Sequence, residues 1–256
     1  MGDCVTMVTM PALTAPTPRN SAGWSIAERL DVVLSRIDEA ARRAERDPQG
    51  ILVLLATKTR TPAEIAEAVT AVSSRGRRVA VGENRAQEIT KYAQEPLTGL
   101  DVPRHFIGRL QTNKARQVTA FAEMIHSVDR DDIARALEKR AREARVVREV
   151  LIQVNTSGEE SKGGYAPDAE AIASVIAALR ENGALRPVGL MTIGANSSEE
   201  SAVRDSLGSL RRVRDELGDP EISELSMGMS GDLEIAVEEG ASIVRIGSAI
   251  FGPRPV

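Results

Sequence analysis

Lys58 is the residue of this chain whose type and position could support covalent chemistry. It ends an apolar run that begins at Ile51, and the pair Thr61 and Pro62 starts a helix directly afterwards. An apolar run bounded by turn residues indicates a buried strand of a parallel sheet, and such folds bind ligands just past the carboxyl ends of their strands. In a partly desolvated pocket, a lysine amine loses its proton more easily and can form a Schiff base with a carbonyl. On this stretch alone the simpler interpretation is favoured, in which Lys58 caps the strand and points into water.

Arg245 is a second candidate, because it follows the apolar residues Ile243 and Val244 near the end of the sequence. An unpaired guanidinium at the inner edge of a sheet is costly. Two explanations therefore remain open: an ion pair with a nearby acid, or a hydrogen bond to a ligand atom.

Small residues cluster in two segments on either side of this arginine. Ser226 opens the first segment, and Gly247 and Ser248 lie in the second. Small residues let backbone amides approach an oxyanion closely, and the two serine hydroxyls are further donors. Loops after strands seven and eight of barrels often bind phosphate, so we predict an anion site here. For Ser230, which precedes Asp232, we predict an ordinary helix N-cap.

Strands and helices alternate along the chain from residue 51 onward. Ser25 and Thr61 each start a helix with capping-box spacing. The predicted strands lie at 51–57, 78–81, 104–107, 124–127, 149–155, 187–190, 224–225 and 243–246. The predicted helices between them lie at 61–74, 83–92, 111–120, 131–146, 167–179, 199–217 and 232–239.

This alternation predicts a single (β/α)8 TIM barrel, an α/β fold, with an extra N-terminal helix that fills the gap after the last strand. A doubly wound open sheet is the competing architecture. The GxGxxG fingerprint that such a sheet would need for a dinucleotide is absent from the sequence, as is a Walker motif. We expect residues 1–22 to be a disordered tail, because they are rich in Thr, Pro and Ala, and residues 23–256 to form the barrel.

The composition limits the classes of partner. The 256 residues carry 33 basic and 37 acidic side chains, a formal charge of −4, without the clustered basic excess typical of nucleic-acid binding. No apolar run approaches the length of a membrane span. The single cysteine, Cys4, fits a reducing compartment, and two histidines far apart in sequence argue against a zinc site. We expect a cytoplasmic protein without a metal.

Six blocks of the sequence, taken in order, resemble the pyridoxal phosphate homeostasis protein family, whose members look like the barrel half of bacterial alanine racemase. The resemblance covers roughly residues 51–254. The blocks are Ala56-Thr57-Lys58-Thr59, residues 82–88, residues 105–114, residues 155–163, residues 189–193 and residues 225–251. The fold that this resemblance implies is the alanine racemase N-terminal type of TIM barrel.

The resemblance also implies a role for particular residues. Lys58 stands where the family forms a Schiff base with pyridoxal 5′-phosphate (PLP), and Arg245 where an arginine faces the pyridine nitrogen, which would keep that nitrogen unprotonated and weaken the ring as an electron sink. The other positions implied as cofactor-binding are Asn84, Ser226, Met227, Gly247 and Ser248. The segment 105–114 is a family hallmark whose role the resemblance does not settle. Ser248 replaces a common threonine and keeps the hydroxyl, whereas Arg85 and Arg104 replace residues that are often aromatic.

The expected function is intracellular PLP homeostasis, in which the protein holds PLP, passes it to PLP-dependent apoenzymes and affects amino-acid pools without turnover of its own. A two-base racemase needs a second acid or base opposite the lysine, typically a tyrosine, and the only tyrosines are Tyr92 and Tyr165. A PLP-dependent amino-acid racemase, or another enzyme of that fold type, remains the alternative. A Schiff-base aldolase without PLP is a further one. We expect a monomer or a weak homodimer.

Overall fold

A computed structural model of the chain describes residues 23–253, apart from the side chain of Glu160. The predicted N-terminal tail lies outside the described residues. Eight parallel strands form a closed barrel in which each strand pairs with its neighbours in sequence and β8 pairs with β1. The strands are β1 Leu52–Ala56, β2 Val79–Glu83, β3 Arg104–Phe106, β4 Met124–Val128, β5 Arg148–Gln153, β6 Leu185–Met191, β7 Glu224–Ser226 and β8 Ile243–Ile246.

Helices connect the strands and cover the outside of the barrel. The α-helices of the described chain are α1 Ile26–Arg43, α2 Pro62–Ser73, α3 Ala115–Phe121, α4 Asp131–Ala144, α5 Ala169–Asn182, α6 Glu200–Leu217, α7 Leu233–Glu238 and α8 Ser248–Phe251. Ser25 and Thr61 both form the predicted capping boxes. The predicted TIM barrel is confirmed, including the helix that precedes β1.

Two apolar clusters separate the inside of the barrel from its outer layer. Alternate residues of each strand point to opposite faces, so Leu52 and Leu54 of β1 join a small inner cluster with Ala80 and Met191. The intervening strand residues join the larger cluster beneath the helices. Helix α1 packs against α7, α8 and α2, where the sequence predicted that it would fill the gap after β8.

Several helix predictions differ from the structure. The segment predicted as a helix over 83–92 is a 3-10 helix, Ala86–Ala93, because Glu83 still belongs to β2 and its carboxylate accepts from the amides of Asn84 and Arg85. The helix predicted over 111–120 begins as a 3-10 turn, Thr112–Lys114, and continues as α3. Helix α8 was not predicted.

Candidate functional site

Lys58 lies at the carboxyl end of β1, two residues beyond the last strand residue, Ala56. The preceding residue, Thr57, faces the outside of the barrel, where its hydroxyl bonds the carbonyl of Gly82 and the hydroxyl of Tyr92. Lys58 itself is half-buried in the turn that follows β1. Because side chains alternate along an extended chain, we expect its side chain on the opposite, inner side.

Three neighbouring strands carry very small residues on their inner face just below Lys58. Leu54 of β1 is level with Arg245 of β8, and one step higher stand Ala56 on β1, Gly82 on β2 and Gly247 beyond β8. A Cβ atom added to Gly247 would lie 3.4 Å from the Cβ of Ala56. Barrel interiors of this size are normally filled by layers of large side chains, and here Leu54 and Ile107 pack against Gly82. Ala56 and Gly247 are only partly buried, so their small size leaves a shallow depression at the mouth of the barrel, next to Lys58.

Asn84 borders the depression on the β2 side. Its Oδ1 atom is buried and has no hydrogen-bond partner among the described residues. Gly108 packs against the backbone of Asn84 so closely that a Cβ atom on Gly108 would overlap it. A buried acceptor without a donor costs about 1–3 kcal/mol, so the Oδ1 atom marks a place where a ligand donor would be favourable.

Arg245 is buried inside the barrel beneath the depression. Its Nη1 atom donates to the Oγ atom of Ser226 at 2.9 Å, and its Nη2 atom donates to the carbonyl of Thr192 at 2.8 Å. Desolvation lowers the pKa of Arg245 to about 10, and the charge of Asp232 opposes this shift. The guanidinium therefore remains charged at neutral pH, and its partners fix its plane.

The two histidines continue this network across the barrel. The Nδ1 atom of His126 lies 2.9 Å from the Oγ atom of Ser226, and its Nε2 atom lies 3.0 Å from the Nδ1 atom of His105. Burial lowers the pKa of His105 to about 4 and holds that of His126 well below its usual value, so both rings are neutral at pH 7. If Ser226 donates to His126 and His126 donates to His105, both contacts are hydrogen bonds and the remaining hydrogen of His105 lies on its Nε2 atom.

The anion-binding prediction concerns the loops after β7 and β8, which lie side by side because the amide of Arg245 donates to the carbonyl of Gly228. Ser248 is exposed at the start of α8, next to Gly247. Met227 is fully buried and its side chain packs in the outer core, so only its backbone can face the loops. Ser226 directs its hydroxyl into the Arg245 network, and its predicted contact with an anion stays a prediction.

The prediction that Ser230 caps a helix is wrong. Helix α7 starts at Leu233 with Asp232 at the N-cap position, and the Oδ1 atom of Asp232 accepts from the amide of Met229 at 2.6 Å. The carbonyl of Ser230 instead accepts from Arg36 of α1. The carboxylate of Asp232 makes no capping hydrogen bond to α7, so the helix begins without a side-chain cap.

Two groups of residues near the site had no signal in the sequence analysis. One is the His105 and His126 pair, because only the barrel brings the inner faces of β3 and β4 together. The other is a set of charged residues behind β1, in which Lys91 lies 2.7 Å from the fully buried Glu83. The sequence predicts Lys91 as part of an ordinary helix. Its position next to Tyr92 and three residues after Glu88 is the signal that could have indicated a buried network.

Within the part of the chain that the structure describes, no three His, Cys, Asp or Glu side chains come together as a metal site. Among the same residues, no helix has the length and apolar character that crossing a bilayer requires.

The chain was compared with known proteins. The family model of the alanine racemase N-terminal domain matches residues 80–255. A pyridoxal phosphate homeostasis protein of Aquifex aeolicus is 43% identical over 230 residues, which cover 89% of this chain and 97% of the relative. PipY of Synechococcus elongatus, solved with PLP bound, is 32% identical with a TM-score of 0.71, over 89% of this chain and 100% of PipY. Its structure without PLP gives 33% identity and a TM-score of 0.73, over 89% of this chain and 100% of that one.

The barrel and the family match together define a protein of the alanine racemase N-terminal class. Sequence identity at this level, over nearly the whole length of the relatives, is more specific evidence of family membership than a shared fold. The chain belongs to the pyridoxal phosphate homeostasis protein family.

Proposed function

We propose that this protein holds PLP in the depression above Arg245, with Lys58 as its covalent attachment, and that it maintains intracellular PLP without turnover of its own. The observation that carries the proposal is the meeting of Gly247 and Ala56, two small and partly exposed residues on adjacent strands close to Lys58. PipY, a relative that aligns over its whole length, binds PLP.

The residues around the depression fit the groups that PLP carries. When bound, PLP supplies an aldehyde carbon that reacts with a lysine amine and a pyridine ring with a phenolic oxygen and a nitrogen. The buried Oδ1 atom of Asn84 requires a donor, and its amide nitrogen can donate to an oxygen of the ring. Arg245 has only donors, so a ring nitrogen that faces it accepts a hydrogen bond and stays unprotonated.

The phosphate belongs at the loops after β7 and β8. Gly247 and the exposed Ser248 lie at the end of β8 nearest to Ala56 of β1, which keeps the phosphate on the same side of the barrel as the ring. The backbone beside Met227 and the hydroxyl of Ser226 are the remaining predicted contacts. Ser226 contributes through Arg245, since its hydroxyl already accepts from that guanidinium.

The tyrosines support a holding role over racemisation. Tyr92 is buried behind β1 and bonds the hydroxyl of Thr57, while Tyr165 donates to the carboxylate of Asp131 at 2.7 Å. Desolvation raises the pKa of both phenols, and in Tyr165 the bond to Asp131 raises it further. Both hydroxyls are thus bonded to other side chains, and the raised pKa values disfavour either phenol as the second base. We therefore propose that PLP is held and passed to PLP-dependent apoenzymes, with effects on amino-acid pools.

The test is spectroscopic. We expect the purified protein to gain a visible absorption band when PLP is added, and borohydride to fix the cofactor on a single peptide that contains Lys58. The variant Lys58→Ala should gain no such band, and Lys114→Ala, a lysine in a different loop, should behave as the wild type. Protein that stays colourless in PLP, or label that falls on another lysine, would refute the proposed attachment.

The racemase alternative is tested with the same material. Incubating the PLP-loaded protein with L-alanine or L-serine alone should produce no D-enantiomer at ordinary enzyme rates. Sustained racemisation would show that the protein is an enzyme and would refute the holding function. A protein that forms an imine with simple ketones or aldehydes but ignores PLP would instead support the aldolase alternative.

A further inference from the structure

The two neighbours of Lys58 are held in an unusual way. Thr59 has a φ angle of 62°, a left-handed conformation that is strained for a β-branched residue. Its amide donates to the Oε2 atom of Glu88 at 2.6 Å. On the other side of Lys58, the carbonyl of Thr57 accepts from the Nζ atom of Lys91 at 2.7 Å. The backbone on both sides of the lysine is therefore fixed by side chains from the 3-10 helix Ala86–Ala93.

Lys91 sits at the centre of this arrangement. Besides the carbonyl of Thr57, it donates to the Oε2 atom of Glu88 at 3.1 Å, and its ammonium group forms an ion pair with the Oε2 atom of Glu83 at 2.7 Å. Glu83 is fully buried and also accepts from the hydroxyl of Thr57. Desolvation raises the pKa of Glu88, but its hydrogen bond from Thr59 and the charge of Lys91 outweigh this effect and hold the pKa below its usual value. Glu88 is therefore ionised at neutral pH and accepts from both groups.

Stability alone does not account for such a network. The desolvation of a buried ion pair offsets much of its attraction, so apolar residues in the same place are often as stable or more so. Charged groups add geometric specificity instead, because each hydrogen bond fixes the position of one atom. Here the bonds from the network to the turn after β1 end on Thr57 and Thr59, which places Lys58 between two fixed residues.

We propose that Lys91, Glu83 and Glu88 form a positioning device, which holds residues 57–59 from the outer side of the barrel so that the Lys58 amine meets an aldehyde in one orientation. This inference rests on the proposed function, since the aldehyde is that of PLP. Its components do not touch the cofactor. They act through the backbone of residues 57 and 59, and a misplacement of about 1 Å can slow a positioned reaction on the order of 100-fold.

The first test uses ligand-free protein. The Thr59 amide, bonded to Glu88, should exchange its hydrogen slowly in the wild type and at least about tenfold faster in Glu88→Ala. The control Glu67→Ala removes an exposed acid of α2 and should leave the exchange unchanged. Equal exchange in wild type and Glu88→Ala would overturn the inference whether or not PLP binds.

The second test measures how fast Lys58 captures PLP, by stopped-flow absorbance after mixing. Glu88→Ala should slow capture about tenfold or more, whereas Glu67→Ala should not. Adding Thr59→Gly to Glu88→Ala should restore most of the rate, because glycine adopts a positive φ without help from a carboxylate. A merely structural role of Glu88 would not be rescued in this way. Wild-type capture in Glu88→Ala, or no rescue by glycine, would contradict the positioning role.

Lys91→Met provides an independent variant, because methionine keeps the apolar stem and removes all three donors. Capture should slow, since the carbonyl of Thr57 is released. Thermal unfolding of the same variant shows whether it is folded. If it is not, Glu88→Gln takes its place: it keeps one acceptor oxygen for the Thr59 amide, so it should slow capture less than Glu88→Ala, and capture as slow as in Glu88→Ala would contradict the role of that bond. If the wild type captures no PLP at all, the proposed function fails, while the exchange experiment still decides the backbone contacts.

Discussion

Arg245 is the single residue whose surroundings most constrain its chemistry. Its guanidinium donates to the Oγ atom of Ser226 and to the carbonyl of Thr192, which are both neutral, so no carboxylate among the described residues accepts from it. Of the two explanations that the sequence left open, a nearby acid contributes only through the more distant charge of Asp232. The arrangement favours the ligand explanation.

We therefore expect Arg245→Ala to weaken PLP retention, because the ring loses a charged donor. A hydrogen bond to a charged group contributes about 1.5–3 kcal/mol, which corresponds to a loss of roughly 10- to 100-fold in affinity. Dialysis of PLP-loaded protein followed by absorbance gives the retained fraction. Asp232→Asn, which removes the nearby charge but no predicted cofactor contact, is the comparison. Unchanged affinity in Arg245→Ala would make the arginine a structural residue only.

The histidine pair gives a pH prediction. In the unfolded chain His105 has its ordinary pKa of 6.5, but in the fold burial lowers it to about 4, and His126 shifts in the same direction. Between pH 6.5 and 4 the unfolded state binds more protons, so the stabilisation is complete above pH 6.5 and is lost as the pH falls. Each histidine should contribute up to about 1.4 kcal/mol per pH unit in that window.

Urea unfolding at several pH values measures this slope. The chain has only these two histidines, so a variant with both replaced by asparagine removes the effect altogether and should show a shallower slope between pH 6.5 and 5, whatever its overall stability. An identical slope in wild type and variant would mean that folding does not lower the pKa of either ring.

Sequence reasoning at this scale found the residues whose type is unusual for their place in a strand pattern, namely Lys58 and Arg245. Asn84 is a candidate through the family resemblance. Sequence reasoning did not single out His126 or Lys91, because nothing in the sequence next to them indicates a role. Their importance comes from contacts with residues 21 or more positions away, such as His105 for His126 and Thr57 for Lys91.

At the scale of elements, two arginines that differ in burial connect α1 to α7 and to the loop before it. Arg36 donates to both carboxylate oxygens of Glu234 and to the carbonyl of Ser230, with only 16% of its side chain exposed. Arg43 pairs with Glu238 while 54% exposed. Since exposed ion pairs stabilise little, the two arginines should contribute differently to the free energy of unfolding, although both join α1 to α7.

We expect Arg36→Ala to lower the free energy of unfolding by about 1.5–3 kcal/mol and Arg43→Ala by no more than about 1 kcal/mol. Because Ser230 lies in the loop that precedes α7, Arg36→Ala should also weaken PLP binding. Urea unfolding and PLP titration of both variants check the two effects. Equal stability losses would mean that burial does not decide the strength of these pairs.

Elements with strong end signals were predicted well, and those without them were not. Ser25 and Thr61 carry capping boxes that fixed the starts of α1 and α2. The 3-10 helix Ala86–Ala93 has no side-chain cap, and its course is set by contacts of Glu88 and Lys91 with β1. Helix α8 has four residues, too few for a helical period to emerge from the sequence.

At the scale of the whole molecule, a ligand that binds only the folded barrel must stabilise it. PLP at about 100 times its dissociation constant should raise the free energy of unfolding by about 2.7 kcal/mol. Pyridoxine 5′-phosphate, which has an alcohol in place of the aldehyde, should stabilise less at the same concentration, because it cannot join Lys58. Thermal unfolding with each compound, in wild type and Lys58→Ala, separates the covalent contribution. Equal stabilisation of both proteins by PLP would argue against the attachment.

The depression is built by β8, β1 and β2, so its two sides come from opposite ends of the sequence and meet only where β8 closes against β1. While the segment around Ile243–Ile246 is still inside the ribosome, the nascent chain already contains Lys58, but Arg245 is not yet in place beneath it. Under the proposed function, PLP capture should thus begin only after this segment has been translated and β8 has paired with β1.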